Sequence, residues 1–354
     1  MHEAIDRGRR LVLAGSLASA GGAGLWPSSS AQAQSGGRSL PSLGGATGWL
    51  NSPPITADSL RGKVVLIDIW TYTCINWLRT LPYVRAWSEK YKNQGLVVLG
   101  VHSPEFGFEK TVDNVRRAAM NMRVNYPIAI DSDFEVWRAL RNNAWPCRYF
   151  VDATGLIRHV QVGEGEYAQG EMIIKQLLAE AGAGDIDRGL VSVDAEGAEA
   201  PADWRNLRSP ETYLGYEQTA NFSSGRVLPD KRGTFTVPKR LALNNWALSG
   251  EWTFGKQFVA LNGPTGRIAY SFHARDLHLV MGPDKPGAAV PFRVSIDGRP
   301  PRADRGVDID EGGSGRLVDQ RLYQLIRQQP PIRERLFEIE FSAAGTEAYC
   351  FTFG

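Results

Sequence analysis

The apolar positions of this chain fall into two rhythms. Up to about residue 182, short apolar runs alternate with segments of helical period. Residues 64–69 are β-branched or apolar apart from one acid, Asp68. That predicts a strand covered on both faces, as in a parallel sheet. Ile75–Tyr91 reads as an amphipathic helix, closed near Gly95, and Leu96–His102 as a second buried strand. The period then predicts a helix over 109–122, a short strand over 126–130 and a short helix over 134–141. The turn Ala153-Thr154-Gly155 joins 149–151 to 157–162 as a hairpin, and 167–181 is a last helix. Trp49-Leu50-Asn51 is an edge strand within a Gly-, Ser- and Pro-rich lead-in over 35–59. Strands alternating with helices imply a central sheet with parallel strands and right-handed crossovers.

The second rhythm begins near Trp204. Short strands follow one another at 251–254, 268–272, 277–280, 292–296, 337–341 and 348–353. Asn262-Gly263-Pro264, Asp297-Gly298 and Gly312-Gly313 supply turn signals between them. This predicts an all-β sandwich or jelly roll. The intervening 183–203 is rich in Gly, Ala, Asp and Glu and reads as a linker. The expected organisation is therefore a targeting segment over 1–33, an α/β domain over 34–182, the linker, and a β domain over 204–354.

The targeting segment is set apart from the fold. Arg7, Arg9 and Arg10 precede a mildly apolar stretch over 11–25, and Ala31-Gln32-Ala33 is a small-residue cleavage site. The Arg9-Arg10 pair resembles a twin-arginine signal, with an ordinary secretory signal as the alternative. Either predicts a mature chain starting at Gln34, in the periplasm or otherwise outside the cytoplasm. No stretch approaches the roughly 20 apolar residues of a membrane span.

At 354 residues, 43% hydrophobic and 22% charged, the chain is of ordinary globular composition. Its net charge of +2 and scattered basic residues give no sign of a nucleic-acid partner. Three cysteines, Cys74, Cys147 and Cys350, and five histidines show no metal-ligand spacing, so neither a metal nor a cofactor is expected.

The candidate chemistry centres on Cys74, between the first strand and the first long helix. The free N–H groups and dipole of a helix start favour a thiolate. Asp68 lies six residues before Cys74, Trp70 four before and Pro82 eight after. These offsets resemble the thioredoxin superfamily. The stretch WTYTCINWLRTLP resembles the redoxin domain of DipZ-type thiol–disulfide interchange proteins, which carry Cys-Ile-Asn-Cys. Here the motif reads Cys74-Ile75-Asn76-Trp77, so a tryptophan stands where the resolving cysteine would be. The opening Pro210-Glu211-Thr212-Tyr213-Leu214-Gly215 and the closing Phe351-Thr352-Phe353-Gly354 resemble the C-terminal, carbohydrate-binding-module-like domain of the same proteins.

The resemblance implies Cys74 as nucleophile, Asp68 as a buried acid and Pro146 as a cis-proline facing Cys74. It implies protein thiols or disulfides as clients, meeting Trp70, Thr71, Thr73, Trp77 and Trp145. It also implies a separately encoded membrane electron donor and, between Cys74 and Pro146, one strand–helix unit beyond a minimal thioredoxin. Without a resolving cysteine Asp68 has lost its usual proton partner; it tunes Cys74, holds a water, or is a purely structural acid. Cys147 follows Pro146 directly and is a candidate second thiol, provided its Cα lies roughly 4.4–6.8 Å from that of Cys74. Three functions stay open: single-cysteine thiol–disulfide exchange or isomerisation, a non-catalytic scaffold that binds clients, and a one-cysteine peroxidase suggested by Thr71-x-x-Cys74 with Arg148. Trp246, Trp252 and Tyr270 are core residues or sugar-stacking rings, and Cys350 is a buried small hydrophobe.

Overall fold

A computed structural model describes residues 38–354; the targeting segment lies outside the described residues. These form two compact units, one of 38–105 and Glu109–Asp194, the other of Phe106–Phe108 and Ala195–Gly354.

The first unit runs β1 (Arg38–Ser39), β2 (Gly48–Leu50), β3 (Val64–Trp70), α1 (Ile75–Tyr91), β4 (Leu96–His102), α2 (Val112–Asn121), β5 (Ile128–Ile130), α3 (Glu135–Ala139), β6 (Cys147–Val151), β7 (Leu156–Val162) and α4 (Tyr167–Glu180). The sheet order is β1-β7-β6-β3-β4-β5-β2, with β3, β4 and β5 parallel and the other pairings antiparallel. β3 is the middle strand, and all seven of its residues are buried. Its alternation separates two faces. Val65, Ile67 and Ile69 join Leu99, Val101, Cys147 and Tyr149 in one apolar cluster. Asp68 falls on the other face, opposite Gly100 of β4 and Arg148 of β6.

β5 and α3 are the additional strand–helix unit. α2 starts at Val112 rather than 109 because Gly107–Lys110 forms a tighter 3-10 turn. α3 is short, and its start is held by the Asp131 carboxylate, which accepts the N–H groups of Val136 and Trp137, each at 2.9 Å.

The second unit contains β8 (Thr212–Tyr213), β9 (Arg232–Phe235), β10 (Trp246–Phe254), β11 (Val259–Phe272), β12 (Asp276–Pro283), β13 (Val290–Ile296), β14 (Ser314–Leu317), β15 (Arg321–Arg327), β16 (Arg335–Phe341) and β17 (Thr346–Phe353). All pairings are antiparallel, and the ten strands are hydrogen-bonded into one continuous half-barrel. The long β11 makes this continuity possible. Its first residues pair with β17 and its last seven with β16, while β10 lies along its other edge. Asn262-Gly263-Pro264, expected as a turn, does not reverse the chain. It is an excursion inside β11, where the register with β10 shifts between Gly250 and Trp252, and this accommodates a proline that cannot donate to the ladder. Trp246, Trp252 and Tyr270 are fully buried in the core of this unit, as is Cys350 in its strand.

The 183–203 segment is less free than its composition suggests. Its first part belongs to the first unit: Lys90 donates to Gly189 O at 2.6 Å, and Val191 N–H donates to the buried Glu171 at 2.8 Å. Its last part belongs to the second, where Arg275 donates to Pro201 O at 2.6 Å.

Candidate active site

β3 delivers the chain into a tight turn, and the turn delivers Cys74 to the start of α1. Cys74 N–H bonds Thr71 O at 3.3 Å, and Cys74 O accepts the first helical bond from Leu78 at 3.0 Å. Its backbone is extended, so Cys74 is the residue that caps α1. It is partly exposed, whereas Thr71 and Thr73 on the same turn are buried. Thr73 Oγ donates to the buried Glu109 at 2.6 Å, and the other Glu109 oxygen accepts Glu105 N–H at 2.6 Å. Thr71 Oγ lies 3.5 Å from His102 Nε2. Burial holds the His102 pKa down at about 3, so its ring is neutral at any physiological pH.

Trp77 is fully buried. Its indole N–H donates to Asp68 Oδ2 at 2.9 Å, and its ring stacks on Trp70 with centroids 4.3 Å apart. The residue in the resolving position is thus the hydrogen-bond partner of the acid. Burial raises the Asp68 pKa to about 6, while the Trp77 bond, the Arg148 charge and the nearby Tyr126 hydroxyl act in the opposite direction. Asp68 Oδ1, Trp70 Nε1 and Tyr126 OH are all buried outside ordinary hydrogen-bond geometry. Gly100 makes room for this group: a Cβ there would sit 2.8 Å from Trp70 Nε1 and 3.1 Å from the Tyr126 ring. Arg148 is buried on the same face as Asp68 and donates to Gly163 O at 3.2 Å and Gly165 O at 2.9 Å. Between those glycines, Glu164 pairs with Arg79 of α1 at 3.0 Å.

The Trp145–Pro146 peptide is cis, and Pro146 leads straight into β6. Trp145 is half-buried; its indole N–H donates to Ser103 O at 3.0 Å. Cys147 differs from the expectation of a second thiol. One residue beyond Pro146 the strand's alternation turns its side chain to the face opposite Asp68, among Ile69, Leu140 and Tyr149. Burial pushes its pKa up to about 12, and all three cysteines are free thiols. Of the residues expected to meet a client, Cys74 and Trp145 have solvent access, while Trp70, Thr71, Thr73 and Trp77 are interior. Sequence reasoning singled out none of Glu109, His102, Tyr126 and Glu164. Tyr126 and His102 were legible only as ends of strands.

This arrangement, a buried acid on the central strand, a cysteine capping the next helix and a cis-proline entering β6, defines a thioredoxin-like domain. The family model described as AhpC/TSA family matches residues 46–160, and that described as thioredoxin like C-terminal domain matches 209–354. The thiol-disulfide oxidoreductase YkuV of Bacillus subtilis is 32% identical over 142 residues, which are 40% of this chain and 95% of YkuV. Protein DipZ of Mycobacterium tuberculosis is 41% identical over 247 residues, 68% of this chain. The match spans 35% of the DipZ protein. A solved thioredoxin-like protein in the oxidised form covers 41% of this chain and 97% of its own, at 30% identity and a TM-score of 0.38. The chain belongs to the thioredoxin-like thiol–disulfide oxidoreductase family. Among the described residues no helix is long and apolar enough to cross a membrane.

Proposed function

We propose that this chain is an exported thiol–disulfide exchange protein that works on protein clients through Cys74 alone. The observation that carries this reading is the contrast within one helical turn. Cys74 is partly exposed at the cap of α1, while Trp77, one turn on, is buried with its N–H committed to Asp68. The Cys74 thiolate attacks a client disulfide; the client S–S bond breaks, a Cys74–client disulfide forms, and one client sulfur leaves as thiolate. Trp77 has no thiol for the second displacement, and Cys147 is turned to the opposite face. An outside thiolate therefore attacks the mixed disulfide and returns Cys74 as thiolate. If that thiolate belongs to the client, the client's disulfide is rearranged. If it belongs to a donor with two thiols, such as a separately encoded membrane partner, the new bond joins donor and client. The donor's second thiolate then breaks it, so that the client leaves with both its sulfurs reduced and the donor's two thiols become a disulfide. The Arg9-Arg10 start and Ala31-Gln32-Ala33 site support export.

The geometry favours exchange over a peroxidase, because Thr71 is turned toward His102 and Arg148 bonds the Gly163 and Gly165 carbonyls. A scaffold that merely holds clients differs from exchange by experiment. Clients trapped as mixed disulfides should disappear in Cys74→Ser, and Trp77→Cys should shorten the life of the trapped species at least tenfold. Adducts that persist in Cys74→Ser would remove Cys74 from the mechanism.

A further inference from the structure

We propose that Asp68 and Trp77 act as one positioning unit for Cys74, with the indole N–H standing in for the resolving thiol as the partner of the buried carboxylate. This rests on the reading that Cys74 is the reacting thiol. In a two-cysteine site the acid's task is to move a proton from the resolving thiol. Here there is no such proton, yet the acid is retained and fully buried on the middle strand, where an unpaired carboxylate is costly. The 2.9 Å bond from Trp77 supplies that pairing.

The bond also does mechanical work. Trp77 lies in the first turn of α1, and its ring is clamped on Trp70 of β3, which closes T-shaped on His102 of β4 at 4.8 Å. Asp68 is fixed from the other side by its register with Gly100 and Arg148. The bond therefore ties the first turn of α1 to the middle of the sheet. Cys74, which caps that turn, has its sulfur and the helix's free N–H groups held in register. Trp77 is thus a built replacement for the resolving residue, and neither member touches the client.

The groups facing Asp68 are Trp77 from α1, Arg148 from β6, Tyr126 from the segment before β5, and Trp70 beside it, with His102 neutral behind Trp70. Only Asp68 among them titrates near neutrality. This gives a test that simple loosening of the fold would not mimic. In the full chain, the rate at which Cys74 reacts with a small aromatic disulfide is followed against pH, with Cys74→Ser as background. Trp77→Phe keeps the ring and loses the N–H; Asp68→Asn keeps an accepting oxygen and loses the charge. Each should slow the reaction about tenfold at pH 7, and the double variant should be no slower than the slower single one. Beyond the rise that follows ionisation of the Cys74 thiol itself, the wild-type profile should show a separate bend near pH 6. The Trp77 bond lowers the Asp68 pKa, so in Trp77→Phe the bend should move to higher pH, and in Asp68→Asn it should vanish. Additive single effects, or a bend unmoved in Trp77→Phe, would overturn this proposal alone. A wild-type chain that reacts no faster than Cys74→Ser would overturn the role of Cys74 as well.

Discussion

At the scale of single residues, the site is a set of groups held in costly places. Asp68 is the clearest case. Its folded pKa of about 6 stands above the ordinary 3.8, with burial as the main cause. Between pH 4 and 6 the folded chain therefore keeps a proton that the unfolded chain has released. Stability falls as pH rises through that window and is flat above it. The shift corresponds to up to about 3 kcal/mol at pH 7. His102 works in the opposite sense: with a folded pKa of about 3 against 6.5, its contribution is lost as pH falls from 6.5 toward 3. Asp68→Asn isolates the first effect. Urea denaturation should find the variant more stable than wild type by about 1–3 kcal/mol at pH 7, with the gain shrinking toward zero near pH 4. A gain that does not depend on pH would show that ionisation of Asp68 is not its source. A more stable but slower protein is the expected outcome when a buried charge is kept for positioning.

At the scale of elements, what the sequence disclosed followed periodicity, and what it hid depended on side chains reaching across the fold. β3, α1 and β4 are readable because a run that is apolar apart from Asp68, a helical period and Gly95, with its φ of +99°, each signal one state. α2 begins three residues after the point its period predicts, because a 3-10 turn and an α-helix share much of their period. The start of α3 is set by Asp131, four residues before the helix, and no local cap motif announces it. Pro264 signalled a turn but marks an excursion within β11. In the site, Cys74 and Asp68 are marked by their offsets and Pro146 by the family resemblance; the bond from Trp77 to Asp68 is not, because nothing in a spacing tells which way an indole points. Gly100 likewise looked like one more strand residue, yet it admits Trp70 and Tyr126 against the sheet. Gly100→Ala should therefore destabilise the chain by about 1–3 kcal/mol and quench or shift tryptophan emission, although alanine suits a strand no worse than glycine. Thermal denaturation with fluorescence readout checks this; a variant as stable as wild type would mean the Trp70 ring yields without cost.

At the scale of the whole molecule, the segment joining the two units has a graded character. Composition alone marked all of 183–203 as one linker. Hydrogen bonds divide it: up to Val191 it is pinned to α1 and α4 through Lys90 and Glu171, and from Gly197 it is tied to the β unit through Arg327 and Arg275. Along the chain the boundary between the units falls between Asp194 and Ala195, in a run outside helix and strand with exposed Ser192, Asp194 and Glu196. A protease needs several residues of backbone that can leave the surface, so cutting follows local opening. An acid-specific protease acting briefly on the folded chain should cut first after Asp194 or Glu196. Glu171→Gln weakens the anchor of Val191, Lys90 and Tyr91 while keeping the side chain's shape. It should extend cutting toward Asp187, with at least a several-fold rise in rate there, and leave the Asp194 and Glu196 sites unchanged. Mass analysis of the first fragments decides it. Early cleavage at Asp187 in the wild-type chain would mean that the anchor does not hold in solution and that the linker is free over its whole length.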